Sequence, residues 1–365
     1  MNVVIKRIPY ISGHRLRPQL FIVVILSLAL LGWVSQQSFS SVYQSSDSTT
    51  LAKLLQYARP PATSPPHQHR LFVRVPGSSA RLGNRMFARA ALLGLAATTG
   101  LRATVSSADD MNVLVSIFNQ TTPVVTNARA TRMRTVEWPW RYAVYVPPPT
   151  NLTDGAGEFD DILLVGYFQS WRYFQAVDER VRAEFRFRKH VADEAAEVLR
   201  QLTAEYRTSS SSLVLVGIHV RRDDMAWDDQ LQRGYTVADE HFVRRAMNYV
   251  ADRVMTESAN ATATSLLFVV CTDDDEWARQ NVRSSTSHPV VFASSPLSKA
   301  EVDLAVLASC DHVITTVGTF SWWAGYLHRP DGITVYYAGF PKPDSEIGKD
   351  FRAEDFFPPG WIGLL

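Results

Sequence analysis

Residues 212–225 read SLVLVGIHVRRDDM, and the fold class follows from this stretch. Positions 212–220 form a nearly continuous Val/Leu/Ile run, the pattern of a strand buried on both faces of a parallel sheet. Charge then begins abruptly. Downstream the alternation is regular: a helical period over about 239–255, the run SLLFVVCT at 265–272, a helix near 274–282, a strand PVVFA at 289–293, a helix at 299–309, a strand HVITTV at 312–317, a helix near 320–327 and a strand GITVYYA at 332–338. Upstream the same alternation is looser, with LFVRV at 71–75, a helix at 81–99, ILLVGYF at 162–168 and a helix near 191–206. Strands of this kind separated by helices predict an α/β chain of two Rossmann-like halves with a cleft between them.

Composition narrows the classes. The 365 residues are 46% apolar, enough for one large domain or two ordinary ones. Lys and Arg number 37 against 36 Asp and Glu, which lacks the basic excess of a nucleic-acid binder. Two cysteines exclude a disulfide framework and a cysteine-built zinc cluster. Cys271 and Cys310 fall at opposite sheet edges, so no bond between them is expected.

Residues 20–34, LFIVVILSLALLGWV, carry no charge, and Lys6, Arg7, Arg15 and Arg17 precede them with no acidic residue before Asp47. This predicts a cytosolic tail at 1–19 and a transmembrane signal-anchor at 20–37, with everything beyond it luminal. The alternative is a cleaved signal peptide. A Ser/Pro-rich stem follows at 38–70, then halves at 71–211 and 212–365. The sequons at Asn119, Asn151 and Asn260 agree with a luminal location.

Open parallel sheets bind ligands at the carboxyl ends of their strands, so the residues after each strand carry the functional reading. Strand 212–220, with His219 near its end, releases Arg221, Arg222, Asp223 and Asp224. Arginine offers a planar fork of donors suited to phosphate oxygens; the alternative is an internal network with Asp223, Asp224 or Asp228. Strand 312–317 releases Gly318, Thr319, Phe320 and Ser321, a glycine turn and hydroxyls at a helix start, suited to an anion or to ordinary capping. Strand 71–75 leads to Gly83 and Asn84. Asp273, Asp274 and Asp275 contain an Asp-x-Asp pattern that a divalent cation could bridge; first-turn acids complementing the helix dipole are the competing reading.

ARLGNRMFARAALLGLA (80–96), VGIHVRRDDM (216–225), DLAVLASCDHVITTVGTFSWWAGYL (303–327) and the tail FRAEDFFPPGWIG (351–363) together resemble the galactoside α-1,2-fucosyltransferases, glycosyltransferase family eleven. The resemblance implies a GT-B-like fold and a single-pass type II Golgi membrane protein with its catalytic part in the lumen. It further implies GDP-L-fucose as donor, the 2-hydroxyl of a terminal β-galactose as acceptor, inversion, and no cofactor or metal. The first half would face the acceptor and the second would bind GDP-fucose. On this reading Arg221, Asp224 and Asn84 are catalytic, with Asp224 either the base or a group orienting an arginine. His219, Arg221, Arg222, Gly318, Thr319, Phe320 and Ser321 bind the donor, His219 as a packed or orienting group. Two positions depart from the family pattern: Asp223 stands where it has Gly, and Arg85 where it tends to have Gln. The competing functions are a fucosyltransferase of another linkage and a non-catalytic glycan-binding protein, and loss of the arginine pair would have marked the latter.

Overall fold

In the computed structural model the described residues are 69–365, apart from 78–79, 107–111, 126–131, 140, 155–157, 208–211, 258–263 and 294–298. The expected cytosolic tail, membrane anchor, nearly all of the stem and the sequon at Asn260 lie outside them. Among the described residues no helix is long and apolar enough to cross a membrane.

The first half is built from β1 (Arg70–Arg74), α1 (Leu82–Thr99), β2 (Arg102–Ala103), β3 (Val105–Ser106), α2 (Asn112–Ile117), β4 (Val124–Val125), β5 (Met133–Glu137) and β6 (Asp161–Val165). Its main sheet runs β2-β1-β6-β5, every pair parallel, with β3 and β4 as a separate parallel pair. Two helices, α3 (Asp178–Glu184) and α4 (Lys189–Thr203), lead to the second half. Helix α4 shows why helices lie flat here: Val191, Ala195, Leu199 and Thr203, spaced by four, are its buried side.

The second half holds β7 (Ser212–Val220), α5 (Asp228–Arg233), α6 (Glu240–Glu257), β8 (Thr264–Thr272), α7 (Asp275–Asn281), β9 (Val290–Phe292), α8 (Ala300–Ala308), β10 (His312–Thr315), α9 (Gly318–Leu327), β11 (Thr334–Tyr337), α10 (Ala353–Phe356) and β12 (Ile362–Leu364). Its sheet runs β12-β11-β10-β7-β8-β9, again parallel throughout. In chain order this is the 3-2-1-4-5-6 arrangement of a doubly wound sheet, which reverses direction between β7 and β10. The crevice outside the carboxyl ends of those two strands is where such a sheet binds ligands. In the first sheet the corresponding reversal lies between β1 and β6. Two parallel sheets of this kind fit the expected GT-B-like architecture.

The apolar core is continuous through both halves. Phe87 of α1 packs 4.6 Å from Trp322 and 5.2 Å from Trp323 of α9, ring centre to ring centre, and Phe174 stacks on Trp323 at 5.9 Å. Each of these rings is at most 1% exposed, so each contributes roughly 1.5–3 kcal/mol of burial. A fully buried ion pair fixes α1 from its other side, Arg89 to Glu184 of α3 at 2.8 Å. Burial alone would push the Glu184 carboxyl up, but hydrogen bonds from Thr121 and Thr122, with the charge of Arg89, hold it below its ordinary range. Removing one partner of such a pair strands the other charge, at about 3–5 kcal/mol.

The C-terminal segment does not stay with the second half. Asp355, 1% exposed, accepts from the Tyr145 amide at 3.0 Å and pairs with Arg172 at 2.6 Å. The stretch after β11 thereby ties the second sheet back to the loops of the first. Cys271 and Cys310 are both buried, and neither is in a disulfide.

Candidate active site

Three loops meet where the switch points of the two sheets face each other. The first follows β1 and ends at the start of α1. Gly83 lies so close to α9 that a Cβ there would stand 2.6 Å from the carbonyl carbon and Oγ1 of Thr319. Only glycine lets the two helix starts approach to this distance. The contact is sealed by Trp323 Nε1, which donates to the Gly83 carbonyl at 3.0 Å. Asn84, next in the chain, accepts from Thr319 Oγ1 at 2.9 Å and from Gln169 Nε2 at 3.0 Å. Neither α1 nor α9 has a side-chain cap, so both present first-turn amides and the positive ends of their dipoles near the same place.

The second loop follows β7. The amide of Arg221 donates to Thr316 Oγ1 at 3.0 Å, and that hydroxyl donates to the His219 carbonyl at 3.1 Å, stitching β7 to the end of β10. The Arg221 side chain passes over Gly318, whose φ is 89°; a Cβ on Gly318 would stand 3.2 Å from Arg221 Cδ. Here glycine meets two demands at once, a left-handed backbone and room for the arginine. Arg221 Nη2 bonds Asp224 Oδ1 at 2.6 Å, and its buried Nε has no hydrogen-bond partner among the described residues. An unpartnered guanidinium N–H beside two uncapped helix starts is suited to an oxyanion.

Both oxygens of Asp224 are occupied, since Arg81 reaches Oδ2 at 2.9 Å. The network expected as the alternative to a ligand site is therefore present for Arg221, and it holds the guanidinium in place without consuming all its donors. Arg222 diverges from its neighbour. Its guanidinium lies 4.1 Å over the Trp277 ring, donates to the Ala238 carbonyl at 2.7 Å and stands 3.4 Å from Asp274.

His219 and Ser321 are 7% and 1% exposed and hydrogen-bond each other through Nδ1 and Oγ. Burial pushes the imidazole down to about 3, so it stays neutral and adds no charge for a diphosphate. Phe320 packs on its ring at 4.8 Å. His219, expected as a packed or orienting group, and Ser321 lock β7 to α9 through their hydrogen bond, while Gly318 and Thr319 beside them are half-buried.

The three acids after β8 each have a protein partner. Asp273 accepts from the Arg222 amide at 2.8 Å and also from that of Asp223, and burial, against those bonds, pushes its carboxyl up from the ordinary range. Asp274 caps α7 through the Trp277 amide at 3.1 Å, and Asp275 pairs with Arg279 at 2.7 Å. Among the described residues no three acids, histidines or cysteines gather as a metal cluster would require. Asp223 is exposed and Arg85 half-buried. Asn119 and Asn151 are both exposed, as glycan attachment requires.

Two residues of this constellation escaped the sequence reading. Arg81 precedes the Gly-Asn pair, and Gln169 follows β6. The rule that found the other loops, polar residues just past a strand's carboxyl end, would have found Gln169 had it been applied to β6.

The model of glycosyl transferase family 11 matches residues 73–365. The chain belongs to that family. Galactoside alpha-(1,2)-fucosyltransferase 1 of Saimiri sciureus is 33% identical over 285 residues, spanning 78% of this chain and 72% of the relative. Its counterpart in Homo sapiens is 33% identical over 290 residues, spanning 78% and 73%. Among solved structures, the fucosyltransferase NodZ from Bradyrhizobium is similar at a TM-score of 0.41 and 15% identity, over 72% of this chain and 93% of that one. Arabidopsis thaliana FUT1, in complex with GDP, is similar at a TM-score of 0.45 and 13% identity, over 79% and 74%. Family membership accounts for the loops that carry Asn84, Arg221 and Thr319 being the stretches that resembled the family in sequence.

Proposed function

We propose that this family 11 member is a galactoside 2-α-L-fucosyltransferase. It moves L-fucose from GDP-β-L-fucose to the 2-hydroxyl of a terminal β-galactose, with inversion and without a metal. The observation that carries the reading is the convergence of Arg221, Thr319 and Asn84 where the two switch points meet, in a chain one-third identical to proteins of that name. In this reading the second half binds the nucleotide sugar and the first faces the acceptor. Residues 20–37 anchor the chain in the Golgi membrane as a type II protein, with Asn119, Asn151 and Asn260 available for glycosylation in the lumen.

The chemistry follows from where charge develops. As the fucosyl group becomes oxocarbenium-like, negative charge builds on the departing diphosphate. Arg221 Nε and the first-turn amides of α9 answer that charge, each preorganised donor supplying on the order of 3 kcal/mol. Arg222 and Asp273 hold the loop that carries Arg221, and Asp224 orients its fork. The attacking hydroxyl gives up its proton as it bonds to fucose. That proton passes to solvent water, directly or through Asp224, each of whose oxygens keeps a lone pair beside its arginine partner. In the arrangement present, Asp224 acts as an orienting group.

The test is to incubate the full chain with GDP-fucose and a panel of β-galactosides and to map the linkage formed. Fucose on the 2-hydroxyl of terminal galactose is the expected product. Transfer to another hydroxyl, or saturable glycan binding with no transfer, would replace this reading with one of its competitors.

A further inference from the structure

Helix α9 has two ends, and only its start belongs to the site described above. Tyr326 lies in the last turn, about 10 Å beyond Thr319 along the axis. There a cavity of about 370 Å³ opens, walled by Trp171 and α3 of the first half, Tyr326 and Arg329 of the second, and Trp361 of the C-terminal segment. Its size falls within the ~300–1,000 Å³ of ligand pockets. Asn84, Arg221 and Thr319 do not line it. We propose that this cavity is a second carbohydrate site, which takes a neutral hexopyranose of a glycan.

Charge decides the class of ligand. Asp178 and Arg182, one turn apart on α3, pair with each other at 2.9 Å. Asp178 also accepts from the Tyr326 hydroxyl, and Arg182 donates to the Tyr326 carbonyl at 2.7 Å, closing the carboxyl end of α9. Arg329 pairs with Asp311 at 3.2 Å and with Asp331 at 2.5 Å. Burial pushes the His328 imidazole down to about 4, so it is neutral at pH 7. Every charge on the wall is therefore matched within the protein, and an ionic ligand would be desolvated there without a counter-charge. A hydroxyl-rich neutral ligand meets no such cost. The Asp178 side chain is 46% exposed and Gln175 is exposed, so a carboxylate and an amide remain within reach of its hydroxyls.

The rest of the wall is aromatic and held in place. Trp171 and Trp361 are both half-buried. Trp171 Nε1 donates to the Glu354 carbonyl at 2.9 Å, and the Trp361 ring packs 5.4 Å from that of Trp322. Gly325 of α9 makes the room, since a Cβ there would stand 2.9 Å from Trp361 Cη2. Pro358 and Pro359 stiffen the approach, and Gly360, with φ 90°, turns the chain into Trp361. A pyranose carries C–H groups on a face and hydroxyls around its edge. Fixed aromatic rings beside a carboxylate and an amide match both parts; a wholly apolar ligand would leave the polar groups unpaired.

The test is photo-cross-linking of the full chain, in lipid nanodiscs without GDP-fucose, by a diazirine-bearing lactose, with labelled peptides mapped by mass spectrometry. Label is expected on the peptides that carry Trp171 or Trp361. Excess free lactose should displace it, and inorganic phosphate should not. Gln175→Ala alters an exposed side chain and leaves folding intact; it should cut this label several-fold, and Trp171→Ala should abolish it. Neither should change label beside Asp224. In transfer assays, a KM raised by Gln175→Ala for a long galactose-terminated glycan but not for lactose places the bound sugar on the acceptor chain itself; equal KM values, with the label still lost, place it on a separate glycan. Label beside Asp224 with none at this cavity, label that free lactose does not displace, or displacement by phosphate as effective as by lactose, would overturn the assignment. Cross-linking at the cavity in a chain that transfers no fucose would defeat the functional reading and leave this site standing.

Discussion

Gly83→Ala sets two physical effects against each other and therefore has a decisive sign. Gly83 lies in the first turn of α1. On helix propensity alone, alanine at a helical glycine stabilises by roughly 0.5–1 kcal/mol. The structure predicts the opposite. The new Cβ would stand 2.6 Å from the Thr319 carbonyl carbon and 2.8 Å from the Phe320 amide nitrogen, where contacts of about 3.5–4.0 Å are normal. Both obstacles are backbone, so the helices must part by about 1 Å. Overpacking of this kind costs ~1–3 kcal/mol, and it also stretches the Trp323–Gly83 and Asn84–Thr319 bonds. A melt followed by circular dichroism should show a fall of about 2–4 °C per kcal/mol for a domain of this size. Initial rates with GDP-fucose should drop on the order of 10²-fold, the usual result of an ångström's misplacement. A Gly83→Ala protein as stable as the parent, with unaltered rates, would refute the claim that the tight α1–α9 crossing assembles the site.

Three further outcomes are expected. Asp224→Asn keeps the shape and one acceptor for Arg221, so turnover should fall only about 10-fold; a loss of 10²–10⁴-fold would mark Asp224 as the base instead. Buried His219 titrates near 3 in the folded chain against ~6.5 when unfolded. Between those values the unfolded state binds the extra proton, so stability is complete above about pH 6.5 and is lost on acidification at up to ~1.4 kcal/mol per pH unit. His219→Asn should flatten that slope, and an unchanged slope in denaturant titrations at several pH values would disprove the origin given. Chelation should leave fucosyl transfer intact, because Arg221 and helix amides supply the charge; abolition by EDTA with rescue by Mn²⁺ would contradict it.

The second half was legible in the sequence because its strands are buried on both faces. The run at 212–220 became β7 with the same limits, and each later strand and helix that was expected appeared within a few residues of its place, whereas α5, α10 and the edge strand β12 were not expected. The first half was harder for a physical reason. Strands β2, β3 and β4 are two residues long, too short for any periodicity, and β5 alternates half-buried and exposed residues with no apolar run to mark it. Helix α9 begins at Gly318 rather than near Phe320, since apolar spacing does not reveal where an uncapped helix starts. The site was legible in its loops and less so in its partners. Arg221, Asn84 and Thr319 stood out by type and position. That Asp224 would bridge Arg221 to Arg81 depends on a contact between the two halves, and that Gln169 would reach Asn84 depends on one between distant loops of the first; no local pattern encodes either. The burial of His219 and Ser321 against each other likewise arises from the packing of β7 on α9.

The most direct test of the mechanism is Arg221→Lys, assayed in parallel for turnover, GDP affinity and thermal stability. Lysine keeps the positive charge but loses the fork that bonds Asp224 while leaving Nε for the diphosphate. If Arg221 stabilises the departing diphosphate, turnover should fall about 10²–10³-fold, with the melting temperature unchanged and GDP affinity altered only a few-fold. A variant that melts markedly lower yet binds GDP and turns over like the parent would assign Arg221 to an internal ion-pair network and contradict its place at the reacting phosphate.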